Sequence, residues 1–311
     1  MINKNSKIYI AGHNGMVGRA CWKLLKLNGF NNLIGKNSKD LDLKNFDNTK
    51  NFLKKESPEI IINAAAKVGG IHANNIYPYE FLMENMLIQN NLLKSSHELN
   101  IEKFIFLGSS CIYPKLCKQP IKEEYLLTGS LEPTNQWYAI AKISGVKLVD
   151  SLRKQFNAKY VSLMPTNLYG PNDNFDLETS HVLPALIRKF HEAKINNAKN
   201  VVVWGSGLPM REFLHVNDLA EAILFFINND NFESLYNVGY GSDISIKDLA
   251  LLIKSIINYK GKIIFDKSKP DGTPRKLIDS TKINKLGWQP KISLQDGIKN
   301  TYNWYLNNVK N

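Results

Sequence analysis

The chain has 311 residues, of which 43% are hydrophobic and 22% charged, a composition typical of a globular protein with a sizeable core. No stretch approaches the roughly 18 apolar residues that a membrane span requires. The N-terminus passes from a short polar lead directly into a strand-like run, unlike a secretory signal. We therefore expect a cytoplasmic protein that does not contact the membrane.

The net charge of +12 raises the question of nucleic-acid binding. The lysines are scattered along the chain, and nothing resembles the base-stacking aromatic motif of an RNA-binding sheet. Basic residues also attract phosphorylated small molecules, so no nucleic-acid partner is expected. The cysteines, Cys21, Cys111 and Cys117, form an odd and sparse set, which argues against a disulfide framework and against a metal site.

The first half of the chain alternates short apolar runs with segments of helical periodicity. Strands are predicted at residues 7–12, 31–35, 59–66, 103–110 and 160–170, and helices at 16–28, 80–99 and 138–156. Near-continuous apolar strands separated by helices are typical of a parallel sheet that is covered on both faces. The predicted fold class is α/β, a Rossmann-like doubly wound parallel sheet.

After residue 170 the pattern loosens. The predictions there are a helix at 182–193, a strand and turn at 200–207, a strand leading into a helix at 211–228, and mixed elements from 246 onward. We expect a smaller, discontinuous C-terminal lobe that forms one wall of a cleft. The predicted division gives residues 1–170 and about 213–240 to the Rossmann domain, and 171–212 and 241–311 to the smaller lobe.

A glycine-rich loop, AGHNGMVG, follows the first predicted strand and precedes the first predicted helix. Glycines at these positions permit a tight turn, let the backbone approach a pyrophosphate, and allow close helix–strand packing. The helix N-terminus adds amide groups and a partial positive charge. The loop is therefore predicted to bind a dinucleotide through Gly12, His13, Asn14, Gly15, Met16, Val17 and Gly18.

The segment after the second predicted strand indicates which dinucleotide binds. An acidic residue here would hold a free ribose hydroxyl, as in NAD-binding sheets. In this chain Lys36 and Lys39 come before any acidic residue. Because cations suit a ribose phosphate, NADP(H) is the expected cofactor. The alternative is that both lysines are only solvated surface residues.

Tyr138 and Lys142 are four residues apart and share one face of a predicted helix. Tyrosine, with an ordinary pKa of about 10, is a poor proton donor or base at neutral pH. We expect the Lys142 ammonium, together with an oxidised nicotinamide, to lower the pKa of Tyr138. Lys142 can also bond the nicotinamide ribose. Ser109, at a predicted strand end, would hold the substrate oxygen that exchanges the proton.

Long strings in a fixed order resemble the extended short-chain dehydrogenase/reductase family of nucleotide-sugar enzymes. They are AGHNGMVG, AAAKVGGIHANN, FLGSSCIYPK, LEPTNQWYAIAK, PTNLYGPNDNF, SHVLPAL, VVVWGSGLPMREFLHV and KPDGTPRKL. The resemblance runs nearly end to end and is greatest to the bifunctional epimerase-reductases of that family. It implies 3,5-epimerisation of GDP-4-keto-6-deoxy-D-mannose, followed by NADPH-dependent reduction at C4 to GDP-L-fucose.

The resemblance implies a reductive triad of Ser109, Tyr138 and Lys142. It also implies that Cys111 and His181 are the acid/base pair of the epimerisation. A 4-keto group acidifies the hydrogens at C3 and C5, and a thiolate and an imidazole both work near neutral pH. The alternatives are an inert buried thiol for Cys111 and a purely substrate-binding role for His181.

Further contacts follow from the resemblance. Arginine can grip a diphosphate and tryptophan can stack on a ring, and the implied GDP-sugar contacts are Lys189, Trp204, Arg211 and Asp271. The other implied cofactor contacts are Leu107, Gly108, Ser109, Ser110, Lys142, Pro165, Thr166, Asn167, Leu168 and His181. Asn14 stands where relatives often have arginine, so one phosphate contact is absent; the two alternatives are that Lys36 compensates for it or that the preference for NADP(H) is relaxed. A homodimer is implied, in which helices 80–99 and 138–156 form a four-helix bundle.

Several alternatives remain open. One is an epimerase-reductase or 4-reductase of another GDP-4-keto deoxy sugar, such as one of the 6-deoxy-heptose or colitose routes. A 4,6-dehydratase lacks support, because Cys111 and Ile112 follow Ser110 where an acidic pair would be needed. A UDP-hexose 4-epimerase would need neither Cys111 nor His181. The non-enzymatic alternative is an NADP-binding scaffold, against which the intact triad argues.

Overall fold

The computed structural model describes residues 2–269 and 271–309. Its strands are β1 (Ile8–Ala11), β2 (Leu33–Ile34), β3 (Ile60–Asn63), β4 (Lys103–Leu107), β5 (Lys159–Pro165), β6 (Asn167–Tyr169), β7 (Asn200–Trp204), β8 (Met210–His215), β9 (Leu235–Val238), β10 (Asp243–Ser245), β11 (Lys262–Asp266) and β12 (Arg275–Lys276). Its α-helices are α1 (Met16–Leu27), α2 (Phe46–Glu56), α3 (Ile71–Ile76), α4 (Pro78–Glu98), α5 (Gln136–Phe156), α6 (Val182–Ile195), α7 (Val216–Asn228), α8 (Ile246–Ile257), α9 (Thr281–Lys285) and α10 (Leu294–Asn308).

The main sheet has six parallel strands in the order β2-β1-β3-β4-β5-β9. Its inner strands β1, β3 and β4 are buried along their whole length, which explains their uninterrupted apolar sequences. One apolar core joins one face of the sheet to α1 and α7, and another joins the opposite face to α2, α4 and α5. The α/β Rossmann-like prediction is confirmed. Strand order reverses beside β1, and ligands bind such sheets beyond the carboxyl ends of the strands.

The smaller lobe contains the order β10-β8-β12, with β6 paired to β8, and a separate parallel pair, β7 and β11. Its core packs α6, α8 and α10 together with apolar residues of β7 and β8. A smaller C-terminal region with a mixed sheet was therefore correctly predicted from the loosened sequence pattern.

Two predicted strands end earlier than the sequence indicates. The run at 160–170 is split into β5 in the main sheet and β6 in the smaller one, because Thr166 and Asn167 bond the carbonyl of Glu212 at 3.2 and 2.7 Å. The run at 103–110 ends as β4 at Leu107. A 3-10 turn, Ser110–Ile112, follows it, and the Ser109 hydroxyl accepts the N–H of Cys111 at this turn. The two breaks lie at the carboxyl ends of β5 and β4, where Asn167 and Ser109 follow the strands.

Helices α4 and α5 pack against each other on one face of the main sheet. Gly145 lets α5 lie close to both the sheet and α4, because a Cβ there would lie 2.4 Å from the Phe106 ring in β4 and 3.0 Å from the Gln89 side chain in α4. The side-chain amide of Gln89 on α4 donates to the carbonyl of Ala141 on α5. Along the described residues, none of the helices combines the length and apolarity needed to cross a membrane.

Candidate active site

The glycine-rich loop forms the turn between β1 and α1. Gly12 has a φ of +79°, and a Cβ there would lie 2.7 Å from the Ala64 carbonyl oxygen. A Cβ on Gly18 would lie 2.2 Å from the carbonyl oxygen of Gly12. Gly15 is the N-cap of α1 and offers no side chain to its first amides. Backbone N–H groups therefore line a concave turn, with Met16 and Val17 in its first helical turn.

His13 fills the space beside this turn. Its ring occupies the position that a Cβ of Gly35 would need, with 2.3 Å to Cγ, and its centroid lies 5.9 Å from that of Trp22. The Nδ1 atom is buried without a protein partner among the described residues. Burial first, and the Arg19 guanidinium second, lower the pKa of His13. A neutral imidazole therefore borders the loop.

Cationic groups surround the edge of the loop near β2. Lys36 and Lys39 are exposed after β2, as the sequence predicted. The Asn14 side chain donates to Asn37, which ties the glycine loop to this segment. Sequence reasoning missed Arg19, whose Nε donates to the Asn14 carbonyl at 2.9 Å. Arg19 is thus a third cation near this edge, after Lys36 and Lys39, and it lies beside the uncharged Asn14.

Lys142 lies under the end of β4. It is 3% exposed, and its Nζ donates to the carbonyl of Leu107 at 2.8 Å. Burial lowers the pKa of Lys142 to about 7. Gly108 follows directly, and a Cβ there would collide with Met164 at 2.1 Å. Met164 would have to move to admit a side chain at this position, and the hydrogen bond to Leu107 holds the lysine close to the carboxyl end of β4.

Tyr138 is half-buried one turn before Lys142, and the Lys142 Nζ lies 5.7 Å from its ring centroid. Burial first, and charge on Cys111 second, raise the pKa of Tyr138. For the protein groups alone, desolvation of the phenol dominates this pKa. The predicted lowering by the Lys142 ammonium together with an oxidised nicotinamide stays a prediction.

Cys111 lies in the turn after β4, beside Ser109. The Ser109 Oγ accepts the Cys111 N–H at 3.2 Å, and Ser110 between them is buried. The Cys111 Sγ accepts the Asn135 Nδ2 at 3.3 Å and the Lys276 Nζ at 3.6 Å. Sequence reasoning missed Asn135 and Lys276. They stand in two of the quoted strings, LEPTNQWYAIAK and KPDGTPRKL, but nothing in the spacing connects them with Cys111.

His181 is the N-cap residue of α6. The preceding loop is held by Gly70, whose N–H donates to the carbonyl of Thr179 at 3.0 Å. By accessible surface His181 is exposed, although protein atoms pack densely around it. Burial first, and the Lys276 ammonium second, lower its pKa. Lys276 is thus a shared neighbour of His181 and Cys111, the predicted acid/base pair.

The segment Pro165–Leu168 crosses from the main sheet to the smaller one. Pro165 ends β5, and the Thr166 N–H donates to Val238 at 3.2 Å. The buried Glu212 carboxylate accepts N–H groups of Gly241 and Ile278 at 2.7 and 3.1 Å. Since Glu212 also binds this segment through its carbonyl, a polar network fixes the backbone between the two sheets.

The four residues predicted to contact the GDP-sugar fall into two pairs. Arg211 donates from Nη2 to the Asp271 carbonyl at 3.4 Å. The Asp271 carboxylate accepts the N–H and hydroxyl of Ser206 at 2.7 and 2.8 Å, and these bonds lower its pKa more than Arg211 does. Trp204 is 54% exposed, and the Lys189 Nζ lies 5.2 Å from its ring centroid.

A small cavity beside the Cys111 thiol is lined in part by Glu132, which the sequence reasoning missed. The lining also includes Ser110, Thr273 and Lys276. Glu132 pairs with Lys115 at 2.9 Å and is one of the charges near Arg211. In the described ranges, no group of three or more His, Cys, Asp or Glu residues is arranged to hold a metal ion.

Comparison with known proteins agrees with this arrangement. Residues 8–239 match the NAD dependent epimerase/dehydratase family. GDP-L-fucose synthase 1 of Arabidopsis thaliana is 54% identical over 100% of this chain and 96% of that relative. GDP-L-fucose synthase of Escherichia coli K12 is 50% identical over 97% of each chain.

Among solved structures, a GDP-mannoheptose C4 reductase from Campylobacter jejuni with NADP bound is similar to this chain. It has a TM-score of 0.91 and 39% sequence identity, covering 98% of this chain and 100% of that one. The family match covers most of the chain, and the similarities to these relatives extend over nearly all of it. The chain belongs to the NAD dependent epimerase/dehydratase family.

Proposed function

We propose that the chain is a bifunctional nucleotide-sugar enzyme of the GDP-L-fucose synthase type. It epimerises C3 and C5 of GDP-4-keto-6-deoxy-D-mannose and then reduces C4 with NADPH. The observation that carries the proposal is the turn after β4, where Ser109 of the reductive triad and Cys111 lie side by side. The full-length similarity to GDP-L-fucose synthases of a plant and a bacterium supports it.

The residues at the sheet edge fit NADP(H). The turn at Gly12 and Gly18 has no room for a Cβ, as a turn shaped for a pyrophosphate requires. Lys36, Lys39 and Arg19 supply positive charge where a ribose phosphate would lie, and the amides of α1 face the same region. When bound, NADPH supplies the hydride that the sugar receives at C4. The remaining proposed contacts are Leu107, Gly108, Ser110, Pro165, Thr166, Asn167 and Leu168.

In the reduction, Tyr138 donates a proton to the 4-oxygen, and Ser109 holds that oxygen by a hydrogen bond. The raised pKa of Tyr138 keeps the phenol protonated, which is the form that a reduction needs. After the proton transfer, the ammonium form of Lys142 stabilises the Tyr138 phenolate. The hydrogen bond to the Leu107 carbonyl fixes the position of Lys142. Its lowered pKa makes that charge sensitive to pH near 7.

In the epimerisation, one member of the pair Cys111 and His181 removes a proton from the carbon beside the ketone. The electron pair of that C–H bond moves toward the 4-oxygen, where Ser109 and Tyr138 stabilise the enolate. The other member returns a proton to the opposite face, and the ketone forms again. Arg211, Lys189 and Trp204 are proposed to bind the diphosphate and the ring system of the nucleotide, and Asp271 positions Arg211.

A panel of 4-keto sugars tests this function. The purified enzyme with NADPH should reduce GDP-4-keto-6-deoxy-D-mannose and give a product of the L-galacto configuration. A product of unchanged C3 and C5 configuration would leave a 4-reductase. Turnover confined to a GDP-4-keto heptose would move the assignment to the second candidate, which the similarity to the Campylobacter C4 reductase favours. No turnover of any of them would leave an NADP-binding scaffold.

A homodimer is proposed as the working assembly. Helices α4 and α5 carry exposed apolar side chains on their outer sides, including Met83, Leu87, Trp137 and Ile140. Pairing of these faces across a two-fold axis would bury them in a four-helix bundle. The domain division given above and a cytoplasmic location stay predictions. A monomer mass in solution at working concentration would contradict the dimer.

A further inference from the structure

The Cys111 sulfur is surrounded by hydrogen-bond donors from two distant segments. Asn135, which precedes α5, places its Nδ2 at 3.3 Å, and Lys276 in β12 places its Nζ at 3.6 Å. A neutral thiol is a weak acceptor, whereas a thiolate is a strong one. Two N–H donors that converge on one sulfur, one of them a full cation, therefore match the anionic form.

Nearby carboxylates do not compete for the Lys276 ammonium, because they have other partners. Glu132, on the same cavity wall, pairs with Lys115 at 2.9 Å. Asp243 pairs with Arg275, the neighbour of Lys276, at 2.6 Å. Among the described residues the Lys276 ammonium has no carboxylate partner; it hydrogen-bonds the Cys111 sulfur and also lies near Cys117.

A second cation lies near the Cys111 sulfur, because the Arg211 guanidinium is close enough to be attracted by a charge on it. The Lys276 ammonium also disfavours the protonated form of His181, for which burial is the larger cause. One lysine therefore faces both the sulfur and the imidazole of the predicted acid/base pair.

We propose that Asn135 and Lys276 are positioning residues that orient the Cys111 sulfur and stabilise its thiolate form, in which it acts in the epimerisation. The identity of the carbon acid rests on the proposed function, whereas the state of the thiol does not. The thiolate lone pair takes the proton from the carbon beside the ketone, and the C–H electron pair becomes the enolate. A proton then arrives from the His181 side, the ketone re-forms, and the thiol returns its proton to solvent.

Alkylation of the substrate-free enzyme by iodoacetamide tests the proposal, because only a thiolate reacts at an appreciable rate. Trypsin cleaves after Lys103, Lys115 and Lys118, so Cys111 and Cys117 fall on different peptides and their rates are measured separately by mass spectrometry. At pH 7, Lys276→Met should slow alkylation of Cys111 about tenfold, as expected for loss of a charge-assisted hydrogen bond. In Lys276→Arg, the alkylation rate of Cys111 should stay within about twofold of that in the wild-type enzyme.

Asn135→Asp places a negative charge against the sulfur and should slow Cys111 alkylation at least as much as Lys276→Met. The matched control is Lys262→Met, which removes the same charge from the exposed start of β11 and should leave the rate unchanged. Raising the pH should restore the alkylation rate of Lys276→Met, because the thiolate then forms without the ammonium. A structural defect that blocks access of the reagent to the sulfur would instead keep the alkylation rate below that of the wild-type enzyme even at high pH, where the thiol is fully ionised.

Two outcomes would overturn the proposal. One is a Lys276→Met enzyme whose Cys111 reacts at the unmodified rate at pH 7. The other is slow alkylation of Cys111 at every pH in a variant that retains the circular dichroism of the unmodified enzyme. Neither outcome depends on a sugar substrate, so failure here is distinguishable from failure of the proposed function.

Discussion

The two ends of the cleft are built in different ways. At the cofactor end, the site is formed by the backbone, which can make its tight turn only because Gly12 and Gly18 have no Cβ. At the substrate end, side chains from remote segments make the site, such as Lys276 and Cys111, which are 165 residues apart. Added bulk should therefore damage the first end, and lost charge or lost nucleophiles should damage the second.

The largest effect is expected from Cys111→Ser at the substrate end. A serine hydroxyl is a far weaker base than a thiolate, so C3 and C5 proton exchange should fall by about a thousandfold. Hydride transfer to a pre-epimerised 4-keto sugar should stay within about threefold, because the reductive triad is intact. Single-turnover measurement of both steps checks this. Equal loss of both steps in a folded variant would contradict the division between Ser109 and Cys111.

Gly18→Ala tests the cofactor end. Its new Cβ would lie 2.2 Å from the Gly12 carbonyl oxygen, so the turn must shift. We expect a loss of about 1–3 kcal/mol in the free energy of unfolding, as for other overpacked sites. The matched control is Gly15→Ala, where the contact at 3.4 Å is ordinary and the stability loss should be much smaller. Denaturant unfolding of both variants measures the difference, and equal losses would contradict the steric account.

Lys142, which lies between the two ends, should make the rate of the reduction depend on pH. Because the pKa of Lys142 is lowered to about 7, its ammonium is present below that pH and is lost as the pH rises through it. The rate of hydride transfer should therefore fall about fivefold from pH 7 to pH 8 and about tenfold for each further pH unit, if the ammonium supports the phenolate. Stopped-flow decay of NADPH fluorescence measures this. A flat profile between pH 6 and 9 would contradict the role given to Lys142.

The smallest effect is expected from Lys36→Gln. An exposed cation contributes little to a phosphate contact in water, so NADPH affinity should fall about fivefold while NADH affinity stays unchanged. Lys23→Gln, on the exposed side of α1, is the matched control and should change neither. Fluorescence titration measures the affinities. A parallel loss for both cofactors would show that Lys36 does not contact the ribose phosphate.

The cofactor end could be predicted from the sequence more completely than the substrate end. The glycine loop and the pair Tyr138 and Lys142 are local patterns, so their place in the fold could be predicted from spacing. The partners of Cys111 could not, because Lys276 reaches it only after β12 has paired with β8. The burial that raises the pKa of Tyr138 could not be predicted either, because it depends on the packed structure.

The central claim is that one site performs both epimerisation and reduction, with Cys111 and His181 acting only in the epimerisation. The most direct test supplies GDP-4-keto-6-deoxy-D-mannose and NADPH in deuterated water and locates deuterium in the product by NMR. The account predicts a 6-deoxy sugar of L-galacto configuration with deuterium at C3 and C5 and NADPH-derived hydrogen at C4. Reduction without solvent label at C3 and C5 would contradict it, because the enzyme would then be a 4-reductase alone.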